Sequence, residues 1–148
     1  MSNRIWDQLG VRKAPSWYLD PLVALQKREV HLALIQRALC HARPPRLVLK
    51  TDLFEEAFGE DQLLGAFPFH ATRLCGIDAA LSTTSRAARR FSHLAGGLAT
   101  ADLRALPFRD SSFDFILSTS SLDHFESDAE LDAALSELSR FSPPVVFC

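Results

Sequence analysis

Five short apolar runs, most of them separated by helical patterns, restrict the fold of this chain more than any other feature of its sequence. The runs are Leu47–Leu49, Leu74–Ile77, Leu98–Ala101, Phe113–Ser118 and Val145–Phe147. Runs of this length, bounded by turn residues, suit strands buried on both faces. Helices are expected from Pro21 to about Ala42, Glu55 to Leu64, Ser82 to His93 and Ser127 to Phe141. Asp20 before Pro21 reads as an N-cap with proline at the first helical position. Leu25, Leu32, Ile35 and Leu39 share one face of the first helix, and Leu131, Leu135 and Leu138 share one face of the last. The result is an α/β chain with a parallel sheet and helices on both faces. The strand order should be 3-2-1-4-5, with Leu47–Leu49 central and the crevice at the carboxyl ends of strands one and four.

Composition narrows the function classes. The chain has 148 residues, 47% apolar, with a net charge of −2 and no run of Lys or Arg. A nucleic-acid backbone binder normally carries a basic patch, so a small-molecule partner is expected instead. Arg86, Arg89 and Arg90 sit at helical spacing and read as a solvated face. No apolar stretch is long enough to cross a membrane, and the N-terminus lacks the apolar core of a signal peptide. Cys40, Cys75 and Cys148 are odd in number and widely spaced, which suggests a reduced, cytoplasmic setting. His31, His41, His70 and His93 are scattered, so no metal site is expected.

Two segments carry chemistry. The first runs Asp102-Leu103-Arg104-Ala105-Leu106-Pro107-Phe108, then Ser112-Phe113-Asp114, then Ser118 and Leu122-Asp123-His124. The second is Cys75-Gly76-Ile77-Asp78, followed by Arg86 to Arg89. Over residues 46–141 the chain resembles the class I, Rossmann-like S-adenosylmethionine-dependent methyltransferases. The resemblance implies that Asp78 meets the ribose, with Gly76 on the same strand among the cofactor-binding residues, that Asp102 and Leu103 hold the adenine, and that Ser118 faces the methyl group. A carboxylate at a strand end suits a cis-diol because it accepts two hydrogen bonds from a rigid position. On this reading residues 46–148 form the S-adenosylmethionine-binding domain. Residues 1–45 form an N-terminal segment and helix, in which Trp6, Trp17 and Tyr18 either close over the site or pack the helix onto the sheet.

The chain departs from the family in two ways. The family follows its first strand with an acid and a glycine-rich turn; here Lys50-Thr51-Asp52-Leu53 follows, and no glycine occurs between Gly10 and Gly59. Lys50, Thr51 and Asp52 are therefore candidates for the methionine end of the cofactor. Each has an alternative: Asp52 with Glu55 fits a capping box, and Lys50 can pair with Glu55 or Glu56. Two acids in the first turn also oppose a pyrophosphate while tolerating a sulfonium, which disfavours a nicotinamide dinucleotide. The family's sheet also continues beyond strand five into an antiparallel hairpin, which this sequence lacks. An open terminal strand suggests a homodimer through that edge or a shortened chain.

Methyl transfer needs alignment more than covalent help, and a base only where the acceptor is protonated. His124, after strand four, is the candidate base; the alternative is a loop histidine bonded locally. These readings converge on a methyltransferase with a small-molecule acceptor, the alternative being a non-catalytic interaction or regulatory domain of the same fold.

Overall fold

The computed structural model describes residues 20–68, 73–94, 97–141 and 145–147. The expectations for Trp6, Trp17, Tyr18, His70 and Cys148 lie outside these residues. Helix α1 (Pro21–Leu39) leads into β1 (Leu47–Lys50), the short α2 (Phe54–Phe58) and β2 (Arg73–Asp78). Then follow α3 (Leu81–Arg90), β3 (Leu98–Thr100), β4 (Phe115–Ser118), α4 (Asp128–Ser139) and β5 (Val145–Phe147). The sheet order is β3-β2-β1-β4-β5 with every pairing parallel, as the alternation implies. None of the helices in the described residues is long and apolar enough to cross a membrane.

Alternation along the central strands builds two cores. Val48, Phe115 and Leu117 face one side, packed with Ile35 and Leu39 of α1, Leu53, Ala57 of α2, Leu63 and Ala87 of α3. Leu49, Ile77 and Ile116 face the other, with Ala134 and Leu138 of α4, Leu103, Leu106, Phe113 and Phe141. This is the pattern of a sheet covered on both faces.

Local signals explain the boundaries. The Asp20 carboxylate accepts from Leu22 N and Val23 N, at 2.9 and 3.3 Å, and caps α1. Ser127 caps α4, accepting from Glu130 N at 3.3 Å, while Glu130 accepts from Glu126 N at 3.1 Å. Leu25 and Leu135, expected on buried faces, are 43% and 39% exposed; Ala24 and Ala134 take the buried positions.

The helix expected from Glu55 to Leu64 is broken. It ends at Phe58, and a separate 3-10 turn spans Leu64–Ala66. Gly59 leaves the helix in an extended conformation, and the Glu56 carboxylate folds over to accept from Leu63 N and Leu64 N at 3.0 and 3.3 Å. Arg86 and Arg90 are not merely a solvated face: they donate to Ala57 O and Gly59 O, at 2.8 and 3.2 Å, and finish the short helix.

Candidate functional site

Parallel pairing brings the expected site residues to one edge of the sheet. Lys50 ends β1 opposite Gly76 and Leu117, and Asp78 ends β2 opposite Thr100. Ala101 N donates to Asp78 O at 3.0 Å, so Asp102 leaves β3 beside the end of β2. Ser118 ends β4 next to the β1 exit.

Lys50 takes the second of its two expected roles. It is fully buried, with Nζ 2.8 Å from Glu56 Oε2 and 3.4 Å from Glu55 Oε2, and it donates to Asp52 O. The Glu56 contact is a close ion pair rather than a directed hydrogen bond. Burial alone would lower the amine's pKa, but the Glu56 and Glu55 carboxylates outweigh it and hold the amine charged. Lys27 of α1 joins the cluster at 2.8 Å from Glu55 Oε1 and 3.1 Å from Asp61 Oδ2. Lys50 is thus enclosed by its own chain, which removes it from the surface a cofactor carboxylate could reach.

Asp52 does not form the expected capping box. Its Oδ1 accepts from Phe54 N at 2.6 Å, a turn two residues on, because Glu55 is drawn instead to Lys27 and Lys50. Burial pushes the Asp52 carboxyl well above the usual range, reinforced by Glu55 and Asp78. Asp78 uses one oxygen for Leu53 N at 3.1 Å and the other for Ala80 N at 2.8 Å. Burial raises its carboxyl too, against the pull of those two donors. Leu53 is itself fully buried over Gly76, where an added Cβ would lie 2.5 Å from Leu53 Cδ2 and 2.8 Å from Leu98 Cδ2. Gly76 therefore serves first to admit Leu53 against the sheet.

Asp102 is held by Arg104. The guanidinium donates to Oδ1 at 2.9 Å and to Oδ2 at 2.6 Å, and Arg104 N adds a third donor to Oδ1 at 2.9 Å. These bonds keep the Asp102 carboxyl below its usual range despite partial burial. The Leu103 side chain is buried in the second core, so its backbone is the part that can face a ligand.

Hydroxyls line the join between β1 and β4. Thr51 Oγ1 donates to Ser118 Oγ at 3.0 Å and lies 3.0 Å from Ser121 Oγ. Thr119 is buried with an unpartnered hydroxyl, and Ser120 adopts a left-handed φ of 49°. Such a conformation is uncommon outside glycine and clusters at functional loops. His124 sits on the 3-10 turn Leu122–His124, 48% exposed, with Nε2 3.9 Å from Asp123 Oδ1.

The roles of three residues escaped the sequence reading. Leu53 plugs the β1 turn, Arg104 clamps Asp102, and Asp114 Oδ2 accepts from Arg46 N and Leu47 N at 2.9 Å each, pinning the start of β1. The Asp102-x-Arg104 spacing was a visible signal for the second and the Ser112-Phe113-Asp114 motif for the third; the first is a tertiary contact without a local mark. Among the described residues no group of His, Cys, Asp and Glu is placed to hold a metal ion. What the edge offers is two carboxylates, Asp78 at the end of β2 and Asp102 just after β3, flanked by a hydroxyl floor.

A family model described as a methyltransferase domain matches residues 56–144. The search of curated proteins returned no match. The fold is similar to the N-methyltransferase NodS from Bradyrhizobium japonicum, solved with S-adenosyl-L-homocysteine. The TM-score is 0.73 at 21% identity, over 98% of this chain and 71% of that one. It is also similar to Haemonchus contortus phosphoethanolamine N-methyltransferase 2, solved with S-adenosyl-L-methionine. There the TM-score is 0.61 at 19% identity, over 80% of this chain and 27% of that one. The [4+2]-cyclase SpnF gives a TM-score of 0.63 at 20% identity, over 81% of this chain and 43% of that one.

Proposed function

This chain belongs to the methyltransferase domain family, and from that premise we propose that it binds S-adenosylmethionine at the carboxyl edge of its sheet and transfers the methyl group to a small-molecule acceptor. The observation that carries the reading is the placement of Asp78 at the end of β2 and of Asp102 in the turn just after the neighbouring parallel strand β3. Acids in these two places suit a nucleoside, one carboxylate to the ribose diol and the other to the base. Each Asp78 oxygen holds one backbone donor and keeps a further acceptor site for a hydroxyl. The acceptor set therefore fits the adenosyl half. Thr51, Ser118 and Ser121 supply hydroxyls for the amino-acid half, a role that enclosed Lys50 does not share.

When bound, the cofactor supplies an electrophilic methyl on a sulfonium. The chain's own contribution is orientation, because an in-line transfer depends on alignment. His124, on an exposed turn after β4, takes the proton of an acceptor that must be deprotonated. NodS and the phosphoethanolamine enzyme are named as N-methyltransferases, which supports an amine acceptor.

One observation favours a second reading, a non-catalytic domain of the same fold. The turn after β1 is glycine-free and closed by Leu53 over Gly76, so the backbone cannot approach a ligand there as a glycine turn would. Calorimetric titration with S-adenosylhomocysteine separates the two. Micromolar binding, about −8 kcal/mol, weakened at least tenfold (about 1.4 kcal/mol) by Asp78→Asn, supports the first. A folded chain that releases no heat of binding refutes it.

A further inference from the structure

The strongest unassigned feature is Arg104, which bridges the turn after β3 to the start of α4. Its Nε and Nη2 take both oxygens of Asp102, its Nη1 donates to Glu130 Oε1, and its guanidinium lies 5.9 Å from the Phe125 ring centroid. Glu130 is fixed in turn by the N-cap of α4 and by Glu126 N at 3.1 Å. The clamp is thus anchored on a helix and not on mobile side chains alone.

The geometry limits what Asp102 can still accept. A carboxylate offers about four acceptor sites. Three donors occupy it here: Arg104 N at 2.9 Å to Oδ1, Nη2 at 2.6 Å to Oδ2, and Nε between the two oxygens at 2.9 and 3.2 Å. A planar guanidinium fork also fixes the plane of the carboxylate, which a lysine would not do. Oδ1 is filled by two donors at 2.9 Å, whereas Oδ2 has one close donor and only the long 3.2 Å branch of Nε, so what remains is about one acceptor site, on Oδ2 and in one orientation. The side chain is 33% exposed, so a ligand can reach the carboxylate. An amine donor satisfies it. A carbonyl in the same place meets a carboxylate oxygen and is rejected.

We propose that Arg104 is a positioning residue for nucleobase specificity, holding Asp102 as a single oriented acceptor that admits the amino group of adenine and excludes a carbonyl. This rests on the reading that the chain binds an adenosyl cofactor. It extends that reading from which residue meets the base to how this chain makes that residue selective.

The test compares two ligands on the full chain by titration calorimetry: S-adenosylhomocysteine and S-inosylhomocysteine, in which a carbonyl replaces the amino group. The unsubstituted chain should prefer the adenosyl form by about a hundredfold or more. In Arg104→Met the preference should fall about tenfold, because the carboxylate is free to turn or to take up a proton. Arg104→Lys should restore part of it, keeping the charge without the fork. Glu130→Gln, which removes the second anchor of Arg104, should give an intermediate loss and serves where Arg104→Met fails to fold. A merely structural staple would weaken both ligands equally, and an unchanged ratio in Arg104→Met, or in Glu130→Gln should the former not fold, overturns the proposal alone. No binding of either ligand by the unsubstituted chain overturns the cofactor reading and this proposal together.

Discussion

Replacing Lys50 by methionine separates a structural lysine from a ligand-binding one. The substitution keeps an unbranched, apolar stem in a fully buried position and removes the charge. Glu55 retains Lys27 at 2.8 Å, so the carboxylate left without a cation is that of Glu56, which is also fully buried. Its other oxygen still accepts from Leu63 N and Leu64 N. Breaking a buried pair by removing one partner costs about 3–5 kcal/mol. The two backbone donors place this case at the lower end, about 3 kcal/mol. Against a typical domain stability of about 5–15 kcal/mol, that is a large share. With a urea slope of about 1–3 kcal/mol per molar, the midpoint should drop by about 1–3 M.

The double substitution Lys50→Met with Glu56→Gln should recover most of that loss, since it removes the orphaned charge and keeps an acceptor for Leu63 and Leu64. Acid unfolding gives an independent check. Lys50 and Lys27, against burial, hold the Glu55 carboxyl at about 2, below its ordinary 4.5. A depressed carboxyl contributes stability that is present above its unfolded pKa and is lost as pH falls toward its folded value. Without Lys50 the folded value rises back toward the unfolded one, so the stability that Glu55 contributes above its unfolded pKa, and loses on acidification, should shrink. An unchanged urea midpoint in Lys50→Met, coupled with lost S-adenosylhomocysteine binding, would refute the structural role and return Lys50 to the cofactor.

Three further outcomes are expected. Gly76→Ala should destabilise by about 1–3 kcal/mol, read by thermal unfolding, because the new Cβ meets the buried Leu53 at 2.5 Å; unaltered stability would mean that Leu53 swings aside freely. Asp52→Asn should stabilise the chain at pH 7 while keeping the acceptor for Phe54 N. Burial raises the Asp52 carboxyl, so its ionisation opposes folding above its unfolded value of 3.8, and the gain should vanish below about pH 4; a gain that persists at pH 3 would contradict this. His124→Gln should leave S-adenosylhomocysteine affinity unchanged and slow methyl transfer about 10²–10⁴-fold, whereas equal loss of binding would make it a cofactor contact.

The sheet was legible because its signal is periodic and repeated. The strand runs are apolar, the central ones are buried on both faces, and the helices between most of them left one parallel arrangement. The acids at strand ends were legible for the same reason, since a strand end is a fixed place in such a sheet. Side-chain pairing was not. Nothing local says that Glu55 would turn to Lys27, 28 residues away, instead of closing a capping box on Asp52. The broken α2 has the same origin: Glu56 is a good helix former, but its carboxylate is committed to Lys50 and to the backbone of Leu63 and Leu64. In each case a buried charge needed a partner, and that need overrode local helix chemistry.

The same requirement explains how a turn without glycine can stand at this point in the fold. A glycine turn leaves space between the first strand and its helix. Here Leu53 fills that space, and Gly76 on the neighbouring strand supplies the missing clearance instead. Leu53 N donates to Asp78, so closing the turn also fixes the carboxylate expected to meet the ribose. Loss of backbone approach on β1 and orientation of the acid on β2 are therefore one structural event. A cofactor bound here would lean on the side chains of β2 and β3 more than on the β1 backbone, which is where Arg104 and its clamp on Asp102 stand.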